Sequence, residues 1–192
     1  DLLEEQGIPF ETPQTFTNSK IRHSLKVIDK EINAEDIAAL SQQYKGKKIL
    51  IICNTVKGAV RLYNQLEWDE VHGIVKVKNP EVDHDPFNDE EGERKGINLF
   101  HSCFTKADRA KKEKQILQMG QQDSNESGIW IATQVVEASL DIDFDLLFTE
   151  LSDLNGLFQR MGRCFRKRDL IEETYNCFVF TGGKKFCSGV GK

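Results

Sequence analysis

Apolar and polar positions alternate along this chain in two different rhythms. Lys48–Cys53 reads K-I-L-I-I-C, and Ile129–Ala132 and Leu146–Phe148 are equally unbroken apolar runs. Short continuous runs of this kind suit strands covered on both faces. Ile97–Phe100 predicts a further strand, Ile21–Ile28 an edge strand and Tyr175–Phe180 a last one. Between them the period lengthens. Asn33 is a good N-cap for a helix over Ala34–Tyr44, with Glu35 and Asp36 in its first turn and Gly46 to end it. Ala59, Leu62, Tyr63 and Leu66 carry helical spacing to about Glu67. Thr105 caps a helix over Lys106–Met119, with Asp108 at the capping-box position. Strand and helix alternate along most of the chain. That order predicts an α/β fold, a parallel sheet with helices on both faces.

One region breaks the alternation. Trp68–Gly96 holds a short strand at Ile74–Val77 and then an acidic stretch, Glu81–Glu93, with seven carboxylates and neither Lys nor Arg. It is expected to be an insertion or surface loop over 67–96. Inside it, Asp69-Glu70-Val71-His72 spells a D-E-x-H magnesium motif. No apolar strand precedes it, and no G-x-x-x-x-G-K-[ST] phosphate loop occurs in the 192 residues, so it is read as a decoy.

The segment from Gly128 to Arg166 carries the chemistry. A polar turn at Thr133 and Gln134 follows one strand, and the segment closes on a helix-like run bearing Gln159, Arg160, Arg163 and Arg166. On a helix, Arg163 and Arg166 would share a face. Paired guanidiniums suit a phosphoryl-transfer transition state, where charge builds on phosphate oxygens. Net charge is −5, yet Leu157–Arg168 holds five basic residues and no acid. A nucleotide or nucleic acid should therefore meet this region and avoid the acidic one.

A-T-Q-V-V-E-A-S-L-D-I-D (residues 132–143) and Q-R-M-G-R-C-F-R (residues 159–166) resemble motifs V and VI of superfamily 2 helicases. S-L-D-I-D-F-D, together with F-H-S-C-F-T-K-A-D-R (residues 100–109), is most similar to the helicase–nuclease of type I CRISPR systems, which the Cascade surveillance complex recruits. Cys103 stands where that family often has Arg. The resemblance implies a second RecA-like domain over residues 21–180, a linker over 1–20, and a tail or the start of a further element over 181–192. It implies that Arg163 and Arg166 are arginine fingers and that Gln159 contacts the γ-phosphate or its water. Asp141, Ser139 and Arg160 would bind the nucleotide. Ser102, Thr105, Arg109, Thr133 and Gln134 would bind single-stranded DNA, with Ser102 and Thr105 beside free N–H groups of a helix N-terminus. ATP and Mg2+ are the implied cofactors, both held mainly by a first RecA-like domain. That domain, a nuclease domain and the Cascade-type complex are the implied partners.

Other readings are an RNA helicase of the same superfamily and a non-catalytic adaptor keeping the fold. Asp143 and Asp145 are open between a nucleotide role and a structural one. Cys53, Cys103, Cys164, Cys177 and Cys187 are odd in number and form no C-x-x-C, which fits a reducing cytoplasm. Hydrophobic residues make up 39%, and no apolar run reaches the length of a membrane span. The chain reads as a piece of a longer protein.

Overall fold

The computed structural model describes residues 20–78, 94–137, 140–171 and 174–182. The expected linker (apart from Lys20), acidic residues 81–93, Ser139 and the tail beyond Gly182 lie outside these residues.

Six parallel strands form the central sheet: β1 (Leu25–Ile28), β2 (Lys48–Ile52), β5 (Ile97–Phe100), β6 (Gly128–Ala132), β7 (Leu146–Glu150) and β8 (Cys177–Phe180). Their order is β1-β8-β7-β2-β6-β5. The register sets Ile49 beside Ile129 on one side and Leu146 on the other, so β2 lies at the centre and all five of its residues are buried. Alternate residues of β2 face opposite layers. Ile49 and Ile51 pack with helices α1 (Ala34–Ser41) and α2 (Val56–Gln65), while Leu50 and Ile52 pack with α3 (Lys106–Met119) and α4 (Leu154–Met161). Helices thus cover both faces, as the alternation predicts.

Local chemistry explains the helix starts. Asn33, Thr55, Thr105 and Asp153 each accept a backbone N–H two or three positions inside the helix that follows. The ends differ from expectation. α1 stops at Ser41 rather than Tyr44, and the chain reverses through Gly46 in the left-handed region (φ +67°). α2 stops at Gln65, because Leu66 begins a strand.

That strand lies at the start of the stretch expected to be an insertion, and the short strand expected at Ile74–Val77 is present within it. β3 (Leu66–Asp69) and β4 (Ile74–Val77) form an antiparallel hairpin. Leu66 and Val75 are fully buried in the same core as α1 and α2, so the hairpin is part of the domain. Trp68 packs over Gly96 (φ +71°), where a Cβ would overlap the indole. The limits of the hairpin are pinned to the end of α2. Lys78 N–H donates to the Gln65 carbonyl (2.7 Å), and Arg94 donates to the carbonyls of Tyr63 and Leu66 (2.5 Å each).

The D-E-V-H tetrapeptide sits on the turn of this hairpin. Asp69 accepts from the His72 backbone N–H (3.1 Å) and pairs with the His72 imidazole (2.8 Å) and the Lys76 ammonium. The turn itself engages the Asp69 carboxylate.

Candidate nucleotide and nucleic-acid site

Parallel strands place all their C-terminal ends on one edge of the sheet and their N-terminal ends on the other. The candidate residues divide between these edges.

The C-terminal edge carries the candidate nucleic-acid residues. Ser102 is exposed just past β5, and Thr105 opens α3 beside it. The Thr105 hydroxyl donates to Asp108 Oδ2 (2.5 Å) and accepts from the Asp108 backbone N–H (3.2 Å), which makes it a working cap. Arg109 Nε donates to Glu113 one turn on (2.9 Å), an exposed pair. Thr133 is 3% exposed, and its N–H donates to the Phe100 carbonyl (3.2 Å), tying the end of β6 to the end of β5. Gln134 Nε2 reaches back to the Asn54 carbonyl (2.8 Å) beyond β2. Backbone and side-chain bonds therefore link the turns after β2, β5 and β6.

The arginines are built differently. The expected helix through Arg166 ends at Met161, with Gly162 as its C-cap. Arg163 and Arg166 lie beyond it, so they do not share a helical face. Two features end the helix. Phe144 N–H donates to the Arg163 carbonyl (2.9 Å) and Phe165 N–H to the Phe144 carbonyl (3.1 Å), so the chain after α4 pairs with the segment entering β7. Phe165 itself takes a left-handed conformation (φ +47°), uncommon for a bulky residue and incompatible with a continuing helix.

This reversal still brings the two arginines together. Arg163 donates Nε to the Val136 carbonyl (3.0 Å), Nη2 to Glu137 (2.5 Å) and Nη1 to Leu140 (2.6 Å). Arg166 Nη1 donates to the same Leu140 carbonyl (3.4 Å) and faces Asp141 Oδ1 (3.4 Å). Burial, then the neighbouring Arg166, pulls the Arg163 guanidinium below its ordinary pKa, against the opposing pull of Asp141 and Glu137. Arg166 and Asp141 are more open, at 38% and 66% side-chain exposure. With Lys167, Asp143, Gly120 and Gln121 they line a notch at the N-terminal edge.

Two residues of the Q-R-M-G-R-C-F-R run lie outside this cluster. Gln159 is exposed on α4 and bonds only weakly to Asn155 (3.4 Å). Arg160 is 1% exposed. Its Nε donates to Glu137 Oε1 (2.7 Å), and Nη1 donates to Thr149 Oγ1 (3.0 Å) and the Glu150 carbonyl (2.8 Å). These bonds point into the protein and away from the notch that a nucleotide would enter.

Asp143 and Asp145 have a structural role here. Arg168 grips Asp143 through Nε and Nη2 (3.0 Å each) and Asp145 through Nη1 (2.7 Å). Asp143 Oδ1 also accepts the Arg166 N–H (3.1 Å), and Asp145 Oδ2 accepts the Lys48 N–H (2.8 Å). Sequence reasoning passed over Arg168 and Glu137. The available signals were a fourth arginine just past the motif and a lone acid inside A-T-Q-V-V-E-A.

The family model for "CRISPR-associated nuclease/helicase Cas3, C-terminal" matches residues 45–169. The chain belongs to this Cas3 C-terminal family. It is 37% identical to the CRISPR-associated endonuclease/helicase Cas3 of Escherichia coli K12 over 123 residues, which are 63% of this chain and 12% of the relative. Across the curated relatives it matches, the chain spans between 8% and 17% of their length. The fold matches the crystal structure of T. fusca Cas3-ATP with a TM-score of 0.59 at 22% identity, covering 92% of this chain and 20% of that one. It matches a chain of a CRISPR RNA-guided surveillance complex, pre-nicking, with a TM-score of 0.58 at 23% identity, covering 86% and 19%. The sheet with helices on both faces is thus that of Cas3 proteins. No described helix is long and apolar enough to cross a membrane.

Proposed function

We propose that residues 21–180 are the second RecA-like motor domain of a cytoplasmic, ATP-dependent DNA helicase–nuclease acting in CRISPR interference. One observation carries this reading: Arg163 and Arg166, far from Asp141 in sequence, converge with it around the Leu140 carbonyl at one edge of the sheet. Exposed, always-charged guanidinium beside an open notch suits a nucleotide phosphate. Arg166 and Asp141 are the residues here with the openness to meet ATP. Arg166 would face the phosphates, and Asp141 would accept from a ribose hydroxyl. Arg163 would hold the motif V loop and supply a second positive charge, and Gln159, exposed nearby in sequence, would orient water.

ATP supplies the phosphoryl group whose hydrolysis drives translocation, and we place most contacts to it and to Mg2+ on a first RecA-like domain. Arg160, buried and inward-facing, is proposed to position the arginine pair rather than to bind nucleotide. Single-stranded DNA would track the opposite edge, along Ser102, Thr105, Arg109, Thr133 and Gln134, through its phosphates. A nuclease domain and a Cascade-type surveillance complex complete the proposed assembly, in line with the surveillance-complex chain of the same fold.

The test is ATP turnover by the full-length protein with and without single-stranded DNA. DNA-stimulated hydrolysis that vanishes in Arg166→Ala is the expected result. Residues 1–192 by themselves should not hydrolyse ATP, since they hold no phosphate-loop lysine. Stimulation by RNA instead of DNA, or turnover by the isolated chain, would overturn the assignment.

A further inference from the structure

Glu137 holds the two inner arginines of the basic run with two different groups. Its carboxylate accepts Arg160 Nε at 2.7 Å, and its main-chain carbonyl accepts Arg163 Nη2 at 2.5 Å. The carboxylate side chain is 16% exposed and that of Arg160 is 1% exposed, so the pair is shielded from water. Arg160 is in turn fixed to the end of β7 through Thr149 and the Glu150 carbonyl. A continuous chain of bonds therefore runs from the sheet through Arg160 and the Glu137 carboxylate to the Glu137 carbonyl, and from there to the Arg163 guanidinium.

This chain matters because it ties the carbonyls that orient Arg163 to the end of β7. A single 3-10 turn, Gln134–Val136, follows β6, and the Glu137 N–H donates to the Gln134 carbonyl (3.0 Å). Val136 is buried and anchors the apolar side. On the polar side two described ties hold this turn: Gln134 Nε2 reaches the Asn54 carbonyl just past β2 (2.8 Å), and Glu137 reaches β7 through Arg160. Without the carboxylate, the carbonyls that orient Arg163 would no longer be held to β7.

The structure assigns Glu137 as a positioning residue for the arginine pair: it touches neither nucleotide nor DNA, and it sets where the Arg163 guanidinium points. The inference rests on the proposed reading of Arg163 as a group that acts on the nucleotide. Because a displacement of about 1 Å in a positioned group costs on the order of 10²-fold in rate, the loss should be large and confined to turnover.

The experiment uses the full-length protein, a poly-dT oligonucleotide and the variants Glu137→Gln, Glu137→Asp, Arg163→Ala and the double variant Glu137→Gln/Arg163→Ala. Glu137→Gln keeps an acceptor for Arg160 but removes the charge. It should lower kcat by about 10²-fold, with KM for ATP and the melting temperature close to wild type. Glu137→Asp, which keeps the charge, should recover part of the loss and serves as the readout if the Gln variant does not fold. Since Glu137 acts through Arg163, adding Glu137→Gln to Arg163→Ala should cost little further, the signature of coupled residues. Wild-type turnover by Glu137→Gln, full additivity in the double variant, or a loss that tracks a lowered melting temperature would each overturn the assignment. Normal turnover by Arg163→Ala alone would instead sink the reading of the arginines themselves.

Discussion

The two edges of the sheet are charged by different means. At the strand C-termini two of the candidate side chains are held locally, Thr105 capping its own helix and Arg109 pairing one turn along, while Gln134 reaches across to Asn54. At the strand N-termini the arginines are held by partners more than twenty residues away, through backbone carbonyls and buried carboxylates. The first edge presents open groups at Ser102, Thr105, Arg109 and Gln134 beside the buried Thr133, and the second is a pre-formed clasp. Phosphate tracking tolerates adaptable contacts, because every phosphate is alike. Stabilising a transition state demands groups already in place.

The contrast is broken most sharply at the arginines. In the full-length protein, Arg163→Ala or Arg166→Ala should lower kcat by about 10³-fold or more, the scale of an arginine finger. Steady-state ATPase assays check this, and near-normal turnover would reassign that arginine to the surface. The same two variants should differ in stability. Arg163→Ala takes the donor from the Val136 and Glu137 carbonyls, Leu140 keeping Arg166, and should cost about 2 kcal/mol in a denaturant melt. Arg166→Ala, which removes an exposed pair, should cost less than about 1 kcal/mol.

Arg168 sharpens the clasp further. Arg168→Ala strands Asp143, whose side chain is 7% exposed, and should destabilise the domain by about 3 kcal/mol. Urea unfolding reads this, and an unchanged midpoint would mean that Asp143 finds another partner. At the opposite edge a smaller effect is expected. Thr105→Glu sets a carboxylate beside Asp108 and toward any bound phosphate, so the DNA concentration for half-maximal stimulation should rise about tenfold, one charge-assisted contact. If stimulation is unaltered, this edge is not the DNA face. The smallest effect belongs to the hairpin: Asp69→Asn should leave turnover unchanged, and a collapse of magnesium-dependent activity would restore D-E-V-H as a metal motif.

Much of this was legible in the residues, for physical reasons. Strands buried on both faces favour continuous apolar runs, so β2, β6 and β7 were visible from their unbroken apolar stretches. Caps announce themselves within four residues, which is why Thr105 and Asn33 were placed correctly. The arginine geometry was not legible. Helical spacing through Arg166 is satisfied on paper, and the pairing of Cys164 with Phe144, a tertiary event, together with the left-handed Phe165 ends the helix at Met161. The inward turn of Arg160 was hidden likewise, because its partners Glu137 and Thr149 lie 23 and 11 residues away. The second strand of the hairpin, Ile74–Val77, was legible, and the first escaped because Leu66 fits a helix and a strand equally well.

The pinning of Lys78 and Arg94 to the end of α2 gives the domain a doorway through which the chain leaves and returns. A segment joining two residues tied to the same turn of backbone loads the end of α2 and not the sheet. Doubling its length would raise the closure cost by only about 0.6 kcal/mol. Segments of very different size and charge can be exchanged at this point while the clasp at the strand N-termini keeps its geometry.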